Sequence, residues 1–537
     1  MSISLAKNVA PGRGLCYHRG SILEEEWAVK RQAVNPYLPS FEYVPDGEPH
    51  VFGNRVYLYG SHDRFDGADF CLNDYICYSA PTDDLSDWRY EGVIYRKEQD
   101  PRNQNLPANA PAPRPGFAAG EPCAPHALNA PGVHAMFAPD VTRGPDGRYY
   151  LYYCLDTLPE IAVAVCDEPA GAYAFLGFVR HADGTILGQK PGDPWQFDPG
   201  VFVDDDGQIY LFSGNAPITL GWCGDDHYSQ VMRLEADMLT LRELPRRLLP
   251  DLRNSAGTGF EGHEFFEASS LRKIEGRYYL IDSSVRSHEL CWAVSDRPDG
   301  GYRFGGTLVD IGDVFLNGRT EAQTLNCLGN THGSVECIDG QWYVFYHRQT
   351  NRTQYSRQAC AERITFQNGR FEQAEVSSCG LNGGPLAGRG SYGAYIACQL
   401  TRHGTNVMSM QREMGMEYPY FTQEGADSEP TPQAILADAE TPRQFIANLR
   451  DGAEAGFKRF RCRHSRLAGL TLRGRAQGRL DVYADDALVG SVPVGLDAPA
   501  WTPMDASVAL PDGVCALRLR FAGEGRLDWL AFSLRDD

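Results

Sequence analysis

No stretch of about 18 consecutive apolar residues occurs in the 537-residue chain, which excludes a membrane-spanning helix. The opening MSISLAKNVAPGRGLCYHRG lacks a basic segment followed by an apolar run, so an export signal is not expected and the chain reads as cytoplasmic. Clustered Lys and Arg are missing too. With 50 basic against 70 acidic residues the formal net charge is −20, which argues against nucleic acid and anionic membrane surfaces as partners and suits a neutral polymer. The 15 cysteines are odd in number and scattered singly from Cys16 to Cys515 with no CxxC pair. They fit neither a disulfide framework nor a thiolate zinc site and read as reduced, mostly buried thiols.

What is abundant is tyrosine and glycine, 27 and 56 residues, a balance that leans toward β-structure with tight turns. They recur in a pattern of a turn glycine, one or two polar residues and an aromatic β-run. The copies are GNRVYLYGSHD from Gly53, GRYYLYY from Gly147, GQIYLFSG from Gly207, GRYYLIDSS from Gly276 and GQWYVFYH from Gly340. Five hairpins at such spacing predict five similar sheets that bury their faces against one another, closing radially as a propeller. The interval from Gly53 to Gly147 is 94 residues, against 60, 69 and 64 for the others. It holds the Pro/Ala/Gly-rich stretch NLPANAPAPRPGFAAGEPCAPHALNAPG, expected as a long loop over one end of the propeller, where it would wall off a pocket.

Ahead of each turn glycine lies a chemically loaded residue. Asp46 and Asp140 stand seven residues before theirs, Asp198 and Glu267 nine, and His332 eight. If the hairpins are equivalent, four carboxylates and a histidine begin the innermost strands and converge at one mouth of the central channel. A lone acid before a strand more often caps a turn; five in register propose an active site.

These segments resemble glycoside hydrolase family 43, five-bladed propellers that include α-L-arabinofuranosidases, β-xylosidases and arabinanases, over roughly residues 36–385. PDGEPHVFGNRVYLYGSHD resembles the family's first-blade segment, with Asp46-Gly47 where Asp-Pro is usual. FAPDV at 137–141 resembles the second-blade motif and FDPGVFVDDDG from Phe197 the third. FFEASSLRKIEG from Phe265 resembles the segment of the general acid, with Glu267-Ala268-Ser269 in place of the common Glu-Gly-Pro. The resemblance implies an inverting glycosidase with Asp46 as general base, Glu267 as general acid and Asp198 keeping the acid protonated, since two nearby carboxylates resist joint ionisation. It implies no cofactor for the chemistry. His332 in NTHGSVE resembles a fifth-blade histidine beside a hydrated calcium; a purely structural histidine is the other reading, because calcium prefers oxygen.

Asp140 is a candidate to orient sugar hydroxyls or a strand-end hydrogen-bonding group. Phe137 and Trp195 are candidates to stack on a sugar face, or ordinary packing between blades. Arg286, His288 and Arg348, directly after the fourth and fifth hairpins, are further candidates to reach the sugar, and His62 and Asp63 weaker ones.

Beyond residue 385 NGGPLAGRGSYG reads as a linker, and LTLRG, LDVYAD, LVGSVPV and LRLRFAG read as strands of a jelly-roll-like β-sandwich over 386–537. FIANLRDGAEAGFKRF makes it similar to carbohydrate-binding module family 6, with packing on the propeller favoured over glycan binding. Residues 1–35 precede the first blade, with SILEEEWAVKRQAV from Ser21 readable as a capped helix with Glu24 at the capping-box position. The expectation is thus an all-β chain, a five-bladed propeller and a sandwich, removing terminal α-L-arabinofuranosyl residues from plant-derived oligosaccharides. β-Xylosidase, β-D-galactofuranosidase, a glycosyl-transferring enzyme and a non-hydrolytic glycan-binding propeller are its alternatives.

Overall fold

A computed structural model describes residues 32–67, 69–104, 134–408, 417–425 and 442–536. The helix expected from Ser21 lies outside the described residues except for 32–34, which are not helical, and the loop expected over 105–132 lies outside them altogether. Within them there are strands and single-turn 3-10 helices and no α-helix. No helix is long and apolar enough to cross a membrane.

Four antiparallel sheets follow one another, each in sequential strand order. They are β1–β4 (Glu48–Phe52, Arg55–Tyr59, Tyr75–Pro81, Arg89–Tyr95), β5–β8 (Asp140–Arg143, Tyr149–Cys154, Ile161–Cys166, Ala174–Phe178), β9–β12 (Gly200–Val203, Ile209–Ser213, Gln230–Leu234, Leu241–Arg247) and β13–β16 (Phe265–Ile274, Arg277–Ser284, Glu289–Ser295, Arg303–Asp310). The fifth blade has three strands, β17–β19 (Val335–Ile338, Gln341–Thr350, Thr353–Arg363), followed by a separate short hairpin of β20 (Phe366–Gln367) and β21 (Arg370–Phe371).

The ring closes because alternate residues of each strand are apolar and every face meets a neighbour. Val163 and Leu211 share a core between blades two and three, Phe212 and Leu280 between three and four, Ile281 and Val344 between four and five, and Tyr59 and Leu151 between one and two. Val56, Leu58, Phe345 and Ala361 seal blade five against blade one. The backbones approach so closely that a side chain would not fit at some points: a Cβ on Gly200 of blade three would stand 2.0 Å from the Ser269 carbonyl oxygen of blade four, and, within blade five, one on Gly333 the same distance from that of Phe345.

The C-terminal region shares one apolar core among β22 (Leu386–Ala387), β23 (Gly390–Gly393), β24 (Gln399–Arg402), β25 (Tyr420–Gln423), β26 (Gln444–Leu449), β27 (Ala453–Cys462), β28 (Ser465–Ala484), β29 (Ala487–Ala509) and β30 (Gly513–Asp536). The segment 382–393 is not a free linker. Leu386 and Ala387 pair with Phe460 and Arg461 of β27, and β23 pairs with β30. The region is bound to the propeller by polar contacts out of water. Lys458 Nζ reaches Asp313 Oδ2 at 2.9 Å with both side chains buried, and the Tyr43 hydroxyl donates to Gln423 Oε1 at 2.9 Å.

Candidate active site

Asp46, two residues ahead of β1, is buried with a left-handed φ of 58°. Its N–H donates to His347 Nδ1 at 3.2 Å, and His347 Nε2 donates to the Asn330 carbonyl at 2.7 Å. That pattern fixes a neutral imidazole, in keeping with burial that pulls His347 down to about 3. Asp46 Oδ1 accepts from Arg357 Nη1 at 3.0 Å, while Arg357 grips both oxygens of Asp63 through Nε and Nη2 at 2.8 and 2.9 Å. Burial pushes the Asp46 carboxyl up, but the Arg357 guanidinium, with the charged His332 in support, outweighs it and holds the group below its ordinary value.

Asp198, two residues before β9, is also left-handed, at φ 42°. His332 Nδ1 lies 3.5 Å from its Oδ2, and the other ring nitrogen 4.0 Å from Glu48 Oε1. Burial alone would lower His332; the contact to Asp198 and the charges of Asp46 and Glu48 raise it to about 9. Asp198 is itself raised by burial, against the pull of His332.

Glu267 sits on β13 where the pairing slips twice: Phe265 faces Ser284, Glu267 faces Ser283 and Ser270 faces Ile281. This bulge, with Ala268 at φ 71°, re-aims the strand and leaves Glu267 mostly buried, though less so than the residues on either side of it. Burial, then the negative charge of Asp198, holds its carboxyl well above the ordinary range. One carboxylate is thus kept ionised and another kept protonated in one electrostatically linked group, which is the equipment of acid–base chemistry.

Asp140 does not join this ring. Its Oδ1 meets His50 Nε2 at 2.7 Å and accepts from the Val141 N–H, and its Oδ2 accepts from the Val201 N–H, both at 2.7 Å. These three contacts tie blades one, two and three together, which is the strand-end hydrogen-bonding role. Glycine spacing misled because the first hairpin turns in two residues and the second in five, so Asp140 lies three residues from the end of its strand and Asp46 six.

His288 and Arg348 are corrected as well. His288 is buried with Nδ1 2.5 Å from Asp310 and Nε2 3.5 Å from Glu321. Arg348 donates to the Ala397 carbonyl at 3.1 Å and lies 3.8 Å over the Phe421 ring, so it serves the C-terminal region. Strand alternation decides this: His347, not Arg348, shares the face of Phe345 and Ala359 toward blade one. Arg286 is committed to the Gly262 carbonyl at 2.8 Å and to Glu321 at 2.5 Å. Phe137 packs edge-on to Phe197 at 5.7 Å in a cluster with Phe70 and Tyr355, beside Arg357, whose guanidinium lies 4.8 Å over Phe70. Trp195 stacks on His227 at 5.1 Å, with one face covered.

Arg357 and His347 were absent from the sequence candidates although they hold Asp46; alternation along β18 and β19 was the available signal. Glu48 was missed too. Its Oε2 accepts from Ser270 Oγ at 2.9 Å and lies 3.4 Å from Arg272. A calcium ion takes six to eight oxygens. Around His332 the protein offers Asp198 and a Glu48 already beside a guanidinium, so these residues form no calcium cage and an ion there would be held through water.

The profile of glycosyl hydrolases family 43 matches residues 44–371. A "Xylosidase/arabinosidase" of Thermoclostridium stercorarium is 44% identical over 517 residues, covering 95% of this chain and 100% of that protein. A "Beta-xylosidase" of Xylanibacter ruminicola is 27% identical, covering 58% of this chain and 89% of its own. Among solved structures, a family 43 arabinoxylan arabinofuranohydrolase from Bacillus subtilis aligns over 94% of this chain and 97% of its own, at 18% identity and a TM-score of 0.45. With the profile covering more than half its length and a full-length relative at that identity, the chain is a glycoside hydrolase and belongs to glycosyl hydrolases family 43.

Proposed function

We propose that the enzyme removes terminal α-L-arabinofuranosyl residues from plant-derived oligosaccharides with inversion at the anomeric carbon. Asp46 takes a proton from the attacking water, whose oxygen bonds to that carbon. Glu267 gives its proton to the glycosidic oxygen as the bond to the leaving sugar breaks. Asp198 keeps Glu267 protonated until that moment. The observation that carries this reading is the opposed bias of the two groups, Asp46 held ionised by Arg357 and Glu267 held protonated by burial and Asp198. An inverting pair stands roughly 6.5–9.5 Å apart to admit water, and acids on blades one and four, with blade five between them, suit such a gap. Hydrolysis by this route needs an acid, a base and water, and calcium has no step in it.

The sugar preference rests on the first-blade string and on the relative named for both activities. That same double name, with the β-xylosidase of Xylanibacter ruminicola, favours terminal β-xylosyl residues as the second reading.

The test is hydrolysis of nitrophenyl α-L-arabinofuranoside, β-D-xyloside and β-D-galactofuranoside by wild type and Glu267→Ala. Release is expected from the arabinofuranoside, with the product's anomeric configuration inverted by NMR. In Glu267→Ala the loss should be about 10²–10⁴-fold on an alkyl or sugar leaving group and much smaller on nitrophenolate, which needs no proton. Equal losses on both leaving groups would remove Glu267 from the role of acid.

A further inference from the structure

Cysteine spacing rules out a thiolate cluster of the CxxC kind, but the fold gathers a mixed set of ligand types in blade four. The Nδ1 of His263, a carboxylate oxygen of Glu289 and the Sγ of Cys291 all lie within 4.8 Å of one another. Glu289 and Cys291 are two residues apart on β15 and therefore share a face; His263 comes from the loop that leads into β13, four residues ahead of Glu267.

A second observation points the same way. Asp282 stands opposite Cys291 in the β14–β15 register, so its side chain leaves the sheet on the same face. It is 1% exposed, and neither carboxylate oxygen has a hydrogen-bond partner among the described residues. A buried carboxyl with no donor is costly unless a bound proton or cation satisfies it.

We infer that His263, Glu289, Cys291 and Asp282 form a site for a divalent transition metal of the zinc type. The nitrogen, sulfur and oxygen donors match that ion's preference and not that of calcium or magnesium. A tetrahedral zinc with bonds of about 2.0–2.3 Å sets its ligand atoms about 3.3–3.8 Å apart. For His263, Glu289 and Cys291 the present separations, from 2.7 Å between His263 and Glu289 up to 4.8 Å, bracket that range, and Asp282, opposite Cys291 in the register, is the fourth ligand that turns in on binding. Binding displaces the Cys291 thiol proton and the proton of the buried Asp282 carboxyl, which leave to solvent, while the imidazole proton facing Glu289 passes to Nε2 so that Nδ1 can ligate. Outer partners exist already: Ser284 Oγ donates to Glu289 Oε1 at 2.6 Å and Thr307 Oγ1 to Oε2 at 3.1 Å, while the His263 ring is held on Phe304 at 4.9 Å. His263 is half-buried, which gives the ion an entry path. The bound metal ties the loop ahead of Glu267 to the middle of blade four.

The full-length chain, stripped with a chelator, is titrated with Co²⁺ alone. The expected result is a single tight cobalt per chain with a thiolate-to-cobalt charge-transfer band, displaced by Zn²⁺, and a melting midpoint several degrees above that of the stripped protein. Cys291→Ser should lose the band. His263→Gln, at the accessible edge where the fold tolerates change, should weaken cobalt binding at least tenfold. No stoichiometric cobalt, cobalt bound without a thiolate band, a band that survives in Cys291→Ser, or unchanged affinity in His263→Gln each overturns the assignment. The glycosidase reading is untouched by any of these results.

Discussion

Replacing Arg357 by methionine removes the cation that keeps Asp46 ionised, and the structure gives the size of the effect. A unit-charge pair about 4 Å apart at an effective dielectric near 20 is worth about 4 kcal/mol, equivalent to about 3 pKa units. His332, raised to about 9 and still charged at neutral pH, retains part of the attraction, so the Asp46 carboxyl should rise by about 1–3 units. The assay is kcat/KM against pH on the nitrophenyl substrate, whose leaving group needs no acid, so the acid limb reports the base alone. That limb should move to higher pH by the same 1–3 units. The sign for stability reverses as well. In the wild type the depressed Asp46 contributes stability above its unfolded value and loses it as pH falls through the folded one. In the variant burial raises the folded value above the unfolded one, so stability is greatest in acid and declines as pH rises. Asp63 also loses its partner, and breaking a buried pair costs about 3–5 kcal/mol. Arg357→Lys keeps the charge without the fork and should leave the limb within about one unit of wild type. A folded Arg357→Met with the wild-type acid limb would refute the reasoning.

Asp198→Asn removes the charge that favours the proton on Glu267, so with a poor leaving group the alkaline limb should fall by about one pH unit or more; an unmoved limb excludes the role. Ala268→Gly relieves a left-handed alanine worth about 1–2 kcal/mol but adds freedom to the unfolded chain. A net gain of about 0.5–1 kcal/mol in urea unfolding is expected, and a loss would show that the bulge needs the Cβ. Lys458→Met leaves Asp313 buried without its cation and should cost about 3–5 kcal/mol by the same measurement. No change would mean that the C-terminal region does not depend on that pair.

Hairpin composition in the sequence was enough for the propeller, because a turn glycine beside an aromatic run is a local signal that survives without knowledge of the rest of the chain. It also placed Asp46, Asp198 and Glu267, the proposed acids, each at or just ahead of an inner strand, where the structure has them. Which other groups face them was not a local matter. Glycine marks the hairpin and not the register, so loops of two and five residues hid the different depth of Asp140. Arg357 and Asp46 lie 311 residues apart in sequence and meet only because blade five closes against blade one. A one-residue step along β18 separates His347, which holds Asp46, from Arg348, which holds the C-terminal region.

The residue types alone could not say which carboxyl would be ionised. Asp46 and Asp198 have the same side chain in nearly the same strand position, and burial acts upward on both. What differs is the company each keeps, Arg357 for one and His332 for the other. The sequence by itself determined the hairpins and the order in which the proposed acids follow one another around the ring. The tertiary structure decided their charges, because only ring closure sets how far each carboxyl lies from water and from the nearest cation.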